Sequence, residues 1–347
     1  MDSITQAVLG ATIQGSLLGR WQGRRALLYG ALLATVPDMD VLMDYGDAVW
    51  DMTFHRGFSH SLFVLTSLAF LLTWLARRFR PHPGYSTQRL FLTLWLVLIT
   101  HPLLDAFTSY GTQLFWPLAT APIAWSTVFI IDPLYTVPLL LAVGIALFSG
   151  LYGKRARLPA IALGLSSLYL AFTVAGKWMA EERVEALAAR EGIKAEQVFS
   201  APTPFNSLLW RVVVIDGEDY HEALTGWFDR EPPHLERLPR GTALAETLQA
   251  SPQYQRLFWF TQGVLRYDQV GAQLLVTDLR LGMTGFHPFR FVFAEQREGR
   301  WQVFNPVQRL PFSRGDLQHL HALWLRIWDE RQTISLQQWA TALRTIP

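Results

Sequence analysis

Four long runs with almost no charge in the first half of this 347-residue chain limit its possible folds more than any other feature. Phe58 to Ala76 and Leu158 to Gly176 carry no formal charge. Leu90 to Tyr110 carries only His101 and Asp105, and Ser126 to Phe148 only Asp132. A helix needs about 20 apolar residues to cross a hydrocarbon core of roughly 30 Å, so each run predicts a transmembrane helix. Ser3 to Gly19, rich in small residues, and Ala26 to Val36 predict a helical hairpin with a short second arm, joined by the basic turn at residues 20–25. Half of the chain is hydrophobic and 17% is charged, which is too apolar for an ordinary soluble protein. The expected fold class is an all-α multi-pass transmembrane bundle of about six helices over residues 1–177, followed by a C-terminal α+β extramembrane domain over residues 178–347.

The second half changes character after Lys177. Strand-like runs at Leu208 to Ile215, Leu274 to Leu281 and Phe289 to Glu295 are separated by Gly, Pro and Asp. Amphipathic helices are expected at Asp316 to Trp328 and Ser335 to Ile346. In the first half, loops 20–25, 77–89 and 153–157 hold ten Lys and Arg, whereas the alternate loops 37–57 and 109–125 hold only Arg56. This bias predicts cytoplasmic basic loops, with the N-terminus and the C-terminal domain on the extracytoplasmic side of the cell (inner) membrane. Asp2 precedes any apolar run and no basic n-region is present, so the start does not resemble a cleavable signal. With 30 Lys and Arg against 28 Asp and Glu, no global basic field points to nucleic acid as a partner. The chain has no cysteine, which excludes disulfides, thiolate nucleophiles and Cys-type metal sites.

Ionisable groups in or beside membrane runs are expensive unless paired, hydrated or metal-bound, and so mark candidate sites. Pro37-Asp38-Met39-Asp40 follows the short second helix. Proline favours an extended residue before it, so Asp38 and Asp40 are expected to run extended and face one point, where a divalent cation would relieve their repulsion. A solvated acidic loop is the plain alternative, since Asp44, Asp47 and Asp51 follow. In His55-Arg-Gly-Phe-Ser-His-Ser61, Gly57 allows a turn and Ser59 is the expected cap of the helix carrying His60, so both imidazoles can bend toward one centre. Arg56 is placed to hold an anion such as a phosphate. His101 and Asp105 share a helix face at i and i+4, as two metal ligands, a ligand and its orienting partner, or a simple structural hydrogen bond. Asp2, Gln6 and Asp132 are weaker candidates, for ligation, substrate binding or orientation of a His, or simply helix caps. Under the expected topology every cluster falls in the outer leaflet, which favours one site.

The combination Met1-Asp-Ser-Ile-Thr-Gln-Ala-Val-Leu-Gly-Ala11, Pro37-Asp-Met-Asp40, His55-Arg-Gly-Phe-Ser-His-Ser61, His101-Pro-Leu-Leu-Asp-Ala-Phe-Thr-Ser-Tyr-Gly111 and Phe129-Ile-Ile-Asp-Pro-Leu-Tyr135 resembles the membrane-bound metal-dependent hydrolase family typified by YdjM-like inner-membrane proteins. The resemblance covers residues 1 to about 177. It implies that Asp38, Asp40, His55, His60, His101 and Asp105 carry the site, and it places a His in many relatives where this chain has Gln6. The function expected is a metal-dependent hydrolase with one or two divalent ions, zinc first and manganese, iron or magnesium after it. Metal-activated water would cleave a phosphoester or ester bond of a lipid or lipid-linked substrate at the outer leaflet, with Arg56 neutralising developing charge. Membrane lipids are the expected surroundings. Two other classes stay open, a transporter or channel binding a passing cation and a scaffold with a structural metal. A conduit would continue its polar residues into the inner leaflet, where this sequence shows Leu, Phe, Val and Ala. Asp278, Arg280, His287 and Arg290 alternate along C-terminal strands and are expected to form a solvated face.

Overall fold

Helix α1 (Ser3–Gln22) begins where the Asp2 carboxylate accepts the backbone N–H groups of Ile4 and Thr5, a standard N-cap. In the computed structural model, which describes residues 1–312 and 315–345, α2 (Arg25–Ala34) follows after a turn at Gly23. The two helices cross through glycine. A Cβ built on Gly30 would lie 2.2 Å from the Gly10 carbonyl oxygen, so only hydrogen fits at this approach. A 3₁₀ turn (Pro37–Leu42) comes next, then α3 (Ala48–Phe54), a short 3₁₀ turn (Phe58–His60), α4 (Leu62–Phe79), α5 (Thr87–Ala106), α6 (Pro133–Ser149) and α7 (Leu158–Arg190).

The chain divides into two compact units. The first comprises Met1–Met43, His55–Trp125 and Ile130–Thr173; the second comprises Asp44–Phe54, Ser126–Phe129 and Val174–Pro347. Among the described residues, three helical stretches are long and apolar enough to cross a membrane: Leu62–Phe79, Thr87–Ala106 and Gly153–Arg190. Helices α2 and α6 are shorter apolar helices. At about 1.5 Å per residue, the ten residues of α2 rise only about 15 Å, half a hydrocarbon core. Six spans were expected, and three meet the length and composition of a crossing. The apolar run from Ser126 becomes helical only at Pro133, because Asp132 caps the helix and proline is favoured in a first turn. Pro102 sits inside α5 without ending it.

Two local expectations are corrected. Pro37 opens a 3₁₀ turn where an extended chain was expected. At three residues per turn, positions i and i+2 point about 120° apart, so Asp38 and Asp40 diverge. Helix α4 starts at Leu62 with Ser61 as its cap, while Ser59 lies in the preceding 3₁₀ turn and is free for another role.

In the second unit, β1 (Gln197–Pro202), β2 (Leu209–Asp216), β3 (Asp219–Gly226) and β4 (Glu236–Pro239) form one antiparallel sheet in sequence order. After α8 (Pro252–Thr261), β5 (Leu265–Val270), β6 (Gln273–Asp278), β7 (Arg290–Arg297) and β8 (Arg300–Arg309) form the other. Strand β2 is buried on both faces. Trp210, Val212 and Val214 pack with Ala180 and Val184 of α7, and Val213 and Ile215 pack with Tyr220, Val264 and Leu279. Helices α9 (Leu317–Trp328) and α10 (Leu336–Ala340) close this unit, capped by Asp316 and Ser335. Ile346, the expected end of the last helix, lies outside the described residues.

The expected solvated face is buried instead. Asp278 and Arg280 pair through bonds of 3.0 and 2.9 Å, and His287 is 2% exposed. Arg211 joins them in the interior, donating to the Leu279 carbonyl at 2.7 Å and pairing with Glu222, which also accepts from Thr284. Asp278 with Arg280 and Glu222 with Arg211 are opposite charges in contact, while Arg290, also buried, donates to the Leu343 carbonyl at 2.6 Å and the Thr345 carbonyl at 3.1 Å. Pairing or hydrogen bonding is the condition under which burial of charge is tolerated.

Candidate metal centre

The centre assembles from three segments of the first unit. Asp38 comes from the turn after α2, His60 from the turn before α4, and His101 with Asp105 from one face of α5. One ligand atom from each residue lies within 4.8 Å of the other three. His101 Nε2 is 3.2 Å from Asp38 Oδ1 and 3.5 Å from Asp105 Oδ2; His60 Nε2 is 3.5 and 3.2 Å from the same two atoms. Donors about 2.0–2.2 Å from a zinc-sized ion at tetrahedral angles stand roughly 3.3–3.6 Å apart, so these separations suit a common cation.

The imidazoles are held so that Nε2 points inward. The last carbonyls of a helix lack intrahelical partners, and the one at Ala34 accepts the His101 Nδ1–H at 2.6 Å. For His60 the chain is longer. Its Nδ1–H donates to Ser59 Oγ at 2.8 Å, and that hydroxyl donates to Asp40 Oδ2 at 2.7 Å. Both arrangements leave an Nε2 lone pair toward the centre, as metal-binding histidines require. Among the described residues, neither His60 Nε2 nor Asp105 Oδ2, both buried, has a hydrogen-bond partner. Such atoms are expensive to leave unmet, and a divalent cation satisfies both.

Asp40 and His55 stand beside the cluster. His55 Nδ1 lies 3.0 Å from Asp40 Oδ1, and Asp40 Oδ2 also accepts the Arg56 backbone N–H at 3.0 Å. Burial works against the Asp40 charge, yet the hydrogen bonds from His55 and Ser59 hold its carboxyl below the usual range. The structure therefore puts these two residues in position to orient His60. Arg56 adopts a left-handed backbone with φ of 61°, uncommon outside glycine. Its Nε lies 3.2 Å from Asp105 Oδ2, its Nη1 donates to Thr108 Oγ1 at 3.1 Å, and its guanidinium covers the Tyr110 ring. Asp105 Oδ1 accepts from Gln6 Nε2 at 3.1 Å and from the Met1 amine. Gln6 thus supports a carboxylate of the cluster. Asp2 and Asp132 act as helix caps, and Asp132 also accepts from the Tyr169 hydroxyl at 2.7 Å. Thr108, Tyr110 and the Ala34 carbonyl were not singled out in the sequence. The i+3 spacing of Thr108 from Asp105 is the one local hint, and a backbone carbonyl leaves none.

A helical bundle of membrane-spanning character with a buried His and Asp cluster defines a membrane protein with a candidate metal centre. The chain belongs to the YdjM inner membrane protein family, whose model matches residues 1–180. It is 39% identical over 94 residues to Inner membrane protein YbcI of Escherichia coli (strain K12), covering 26% of this chain and 52% of that protein. It is 27% identical over 154 residues to Uncharacterized protein YfhP of Bacillus subtilis (strain 168), covering 42% and 46%. The chain thus spans about half the length of the curated relatives it matches. No solved structure matches it.

Proposed function

We propose that this protein is a multi-pass membrane hydrolase that uses a divalent cation, zinc first among the candidates, held by Asp38, His60, His101 and Asp105. The substrate class proposed is a phosphoester or ester of a lipid or lipid-linked molecule at the outer leaflet, with the C-terminal unit on the extracytoplasmic side. The carrying observation is the approach of four ligand atoms from three segments, two of them buried and without hydrogen bonds. Carboxylate and imidazole donors suit such ions, and with four protein donors a reacting water would enter as a fifth ligand. When bound, the cation lowers the pKa of water and polarises the bond under attack. Asp40 and Ser59 keep the His60 proton on Nδ1, and Ala34 does the same for His101. Arg56 balances the carboxylate charge and is positioned to offset negative charge on a phosphoryl oxygen. The positive-inside arrangement of residues 20–25, 77–89 and 153–157 supports the sidedness.

The test uses full-length protein purified in detergent with added zinc, manganese or magnesium, assayed on phosphoester and lipid-ester probes. His60→Ala is expected to lose metal and activity together. Full activity in that variant refutes the proposal, as does ion flux in proteoliposomes without hydrolysis.

A further inference from the structure

A second feature of the first unit is a groove of about 730 Å³, bounded by α1, α2, α4 and α5. Its mouth is aromatic and fixed. Trp21 and Tyr85 meet edge to face at 5.8 Å, His82 stacks on Tyr85 at 4.7 Å, and Arg77 donates to the His82 carbonyl at 2.8 Å and to the Tyr85 carbonyl. Tryptophan and tyrosine favour the headgroup level of a membrane. Arg25 and Arg80, both exposed, line this end, and neither forms a salt bridge among the described residues. Away from the mouth the wall is apolar, with Leu33 of α2, Leu72 of α4 and Leu94 of α5.

Gln14 lines the same groove and is 2% exposed. Its Nε2 donates to Gln22 Oε1 at 2.9 Å, but its own Oε1 has no donor. A buried carbonyl oxygen of this kind calls for a donor from a bound molecule. From mouth to wall the groove therefore presents two unpaired guanidinium groups, a hydrogen-bond acceptor and an apolar channel. The volume lies within the roughly 300–1,000 Å³ typical of small-ligand sites, suiting one chain better than two.

We infer that this groove binds a single-chain phospholipid. Its phosphate lies between Arg25 and Arg80, its free glycerol hydroxyl donates to Gln14 Oε1, and its acyl chain runs along Leu33, Leu72 and Leu94. Guanidinium and phosphate match in charge and in fork geometry. Wall, acceptor and basic rim occur in the order found along a lysophospholipid. The inference does not rest on the proposed hydrolase, since the groove residues are distinct from the metal cluster.

The test is native mass spectrometry of the full-length protein in detergent with chelator present, so that no metal-dependent turnover enters and each reading can fail alone. The probe is 1-oleoyl lysophosphatidic acid, compared with its 2-deoxy analogue, diacyl phosphatidic acid and inorganic phosphate. One bound lysophosphatidic acid is expected, weakened roughly tenfold for each arginine in Arg25→Gln and Arg80→Gln. Gln14→Leu is expected to erase the preference for the hydroxylated lipid over its 2-deoxy analogue, and Leu33→Trp to block the chain. Both arginines are exposed, so their variants keep the test open if Leu33→Trp does not fold. Affinity within threefold of the parent in the double arginine variant overturns the inference. So does equal binding of the diacyl lipid, or equal competition by inorganic phosphate, which would mean a free anion site.

Discussion

Removing the Ser59 hydroxyl tests the centre without touching any of its four proposed ligands. Ser59 Oγ accepts from His60 Nδ1 at 2.8 Å and donates to Asp40 Oδ2 at 2.7 Å, so Ser59→Ala deletes two hydrogen bonds, one to a carboxylate. His60 is fully buried, and the nearest acceptor left to its Nδ1–H would be Asp40 Oδ2 at 3.7 Å, beyond hydrogen-bond reach unless the ring shifts. An unmet buried donor costs about 1–3 kcal/mol. The ring can escape by moving its proton to Nε2, which removes the lone pair needed by the cation. Losing the orienting partner of a metal-binding histidine typically lowers affinity about 10–100-fold, or about 1.4–2.7 kcal/mol. Competition for zinc against a chromophoric chelator, with detergent-purified protein, measures this directly. Ser59→Thr keeps a hydroxyl and is expected to restore most of the affinity. Zinc affinity in Ser59→Ala within threefold of the parent refutes the orienting chain and leaves Ser59 a bystander.

Asp105→Asn removes a ligand and the charge facing buried Arg56, and is expected to abolish zinc binding and to destabilise by about 3–5 kcal/mol, read from bound metal and thermal melting. Gly30→Ala places a methyl against the Gly10 carbonyl and should lower the melting temperature and the detergent-soluble yield; an unchanged melt would show that the α1–α2 crossing can relax. Burial and the neighbouring Arg211 hold the His287 pKa well below 6.5, so the ring is neutral when folded while the unfolded chain takes up a proton. Its contribution is complete above about pH 6.5 and falls as pH drops below it, by up to about 1.4 kcal/mol per pH unit until the folded pKa is reached. Melting curves from pH 7.5 to 5.5 should slope less in His287→Gln than in the parent, and identical slopes would contradict this.

The apolar runs and the charge bias carry their information locally. A stretch such as Leu158 to Gly176 must become a helix in hydrocarbon because no other backbone arrangement meets its own hydrogen bonds there. His101 and Asp105 share a face by helical periodicity alone. The grouping of polar residues at the ends of these runs was likewise visible, because charge is out of place in such a sequence. What each of them does was decided by tertiary packing. Asp38 and Asp40 are two residues apart, yet a 3₁₀ turn sends one to His101 and the other to His55. Ser59 has the sequence context of a cap and serves as a hydrogen-bond relay, since Ser61 took the capping position. The Ala34 carbonyl became a partner of His101 only because α2 ends beside α5. The charged residues expected to be solvated are buried among partners from distant segments, Arg280 on the Phe260 carbonyl of α8 and Arg290 on the Leu343 carbonyl, which alternation along one strand does not encode. Local pattern determines which residues belong to a helix or a strand. Which atom meets which across segments distant in sequence depends on where separate helices end relative to one another, a property of the packed chain.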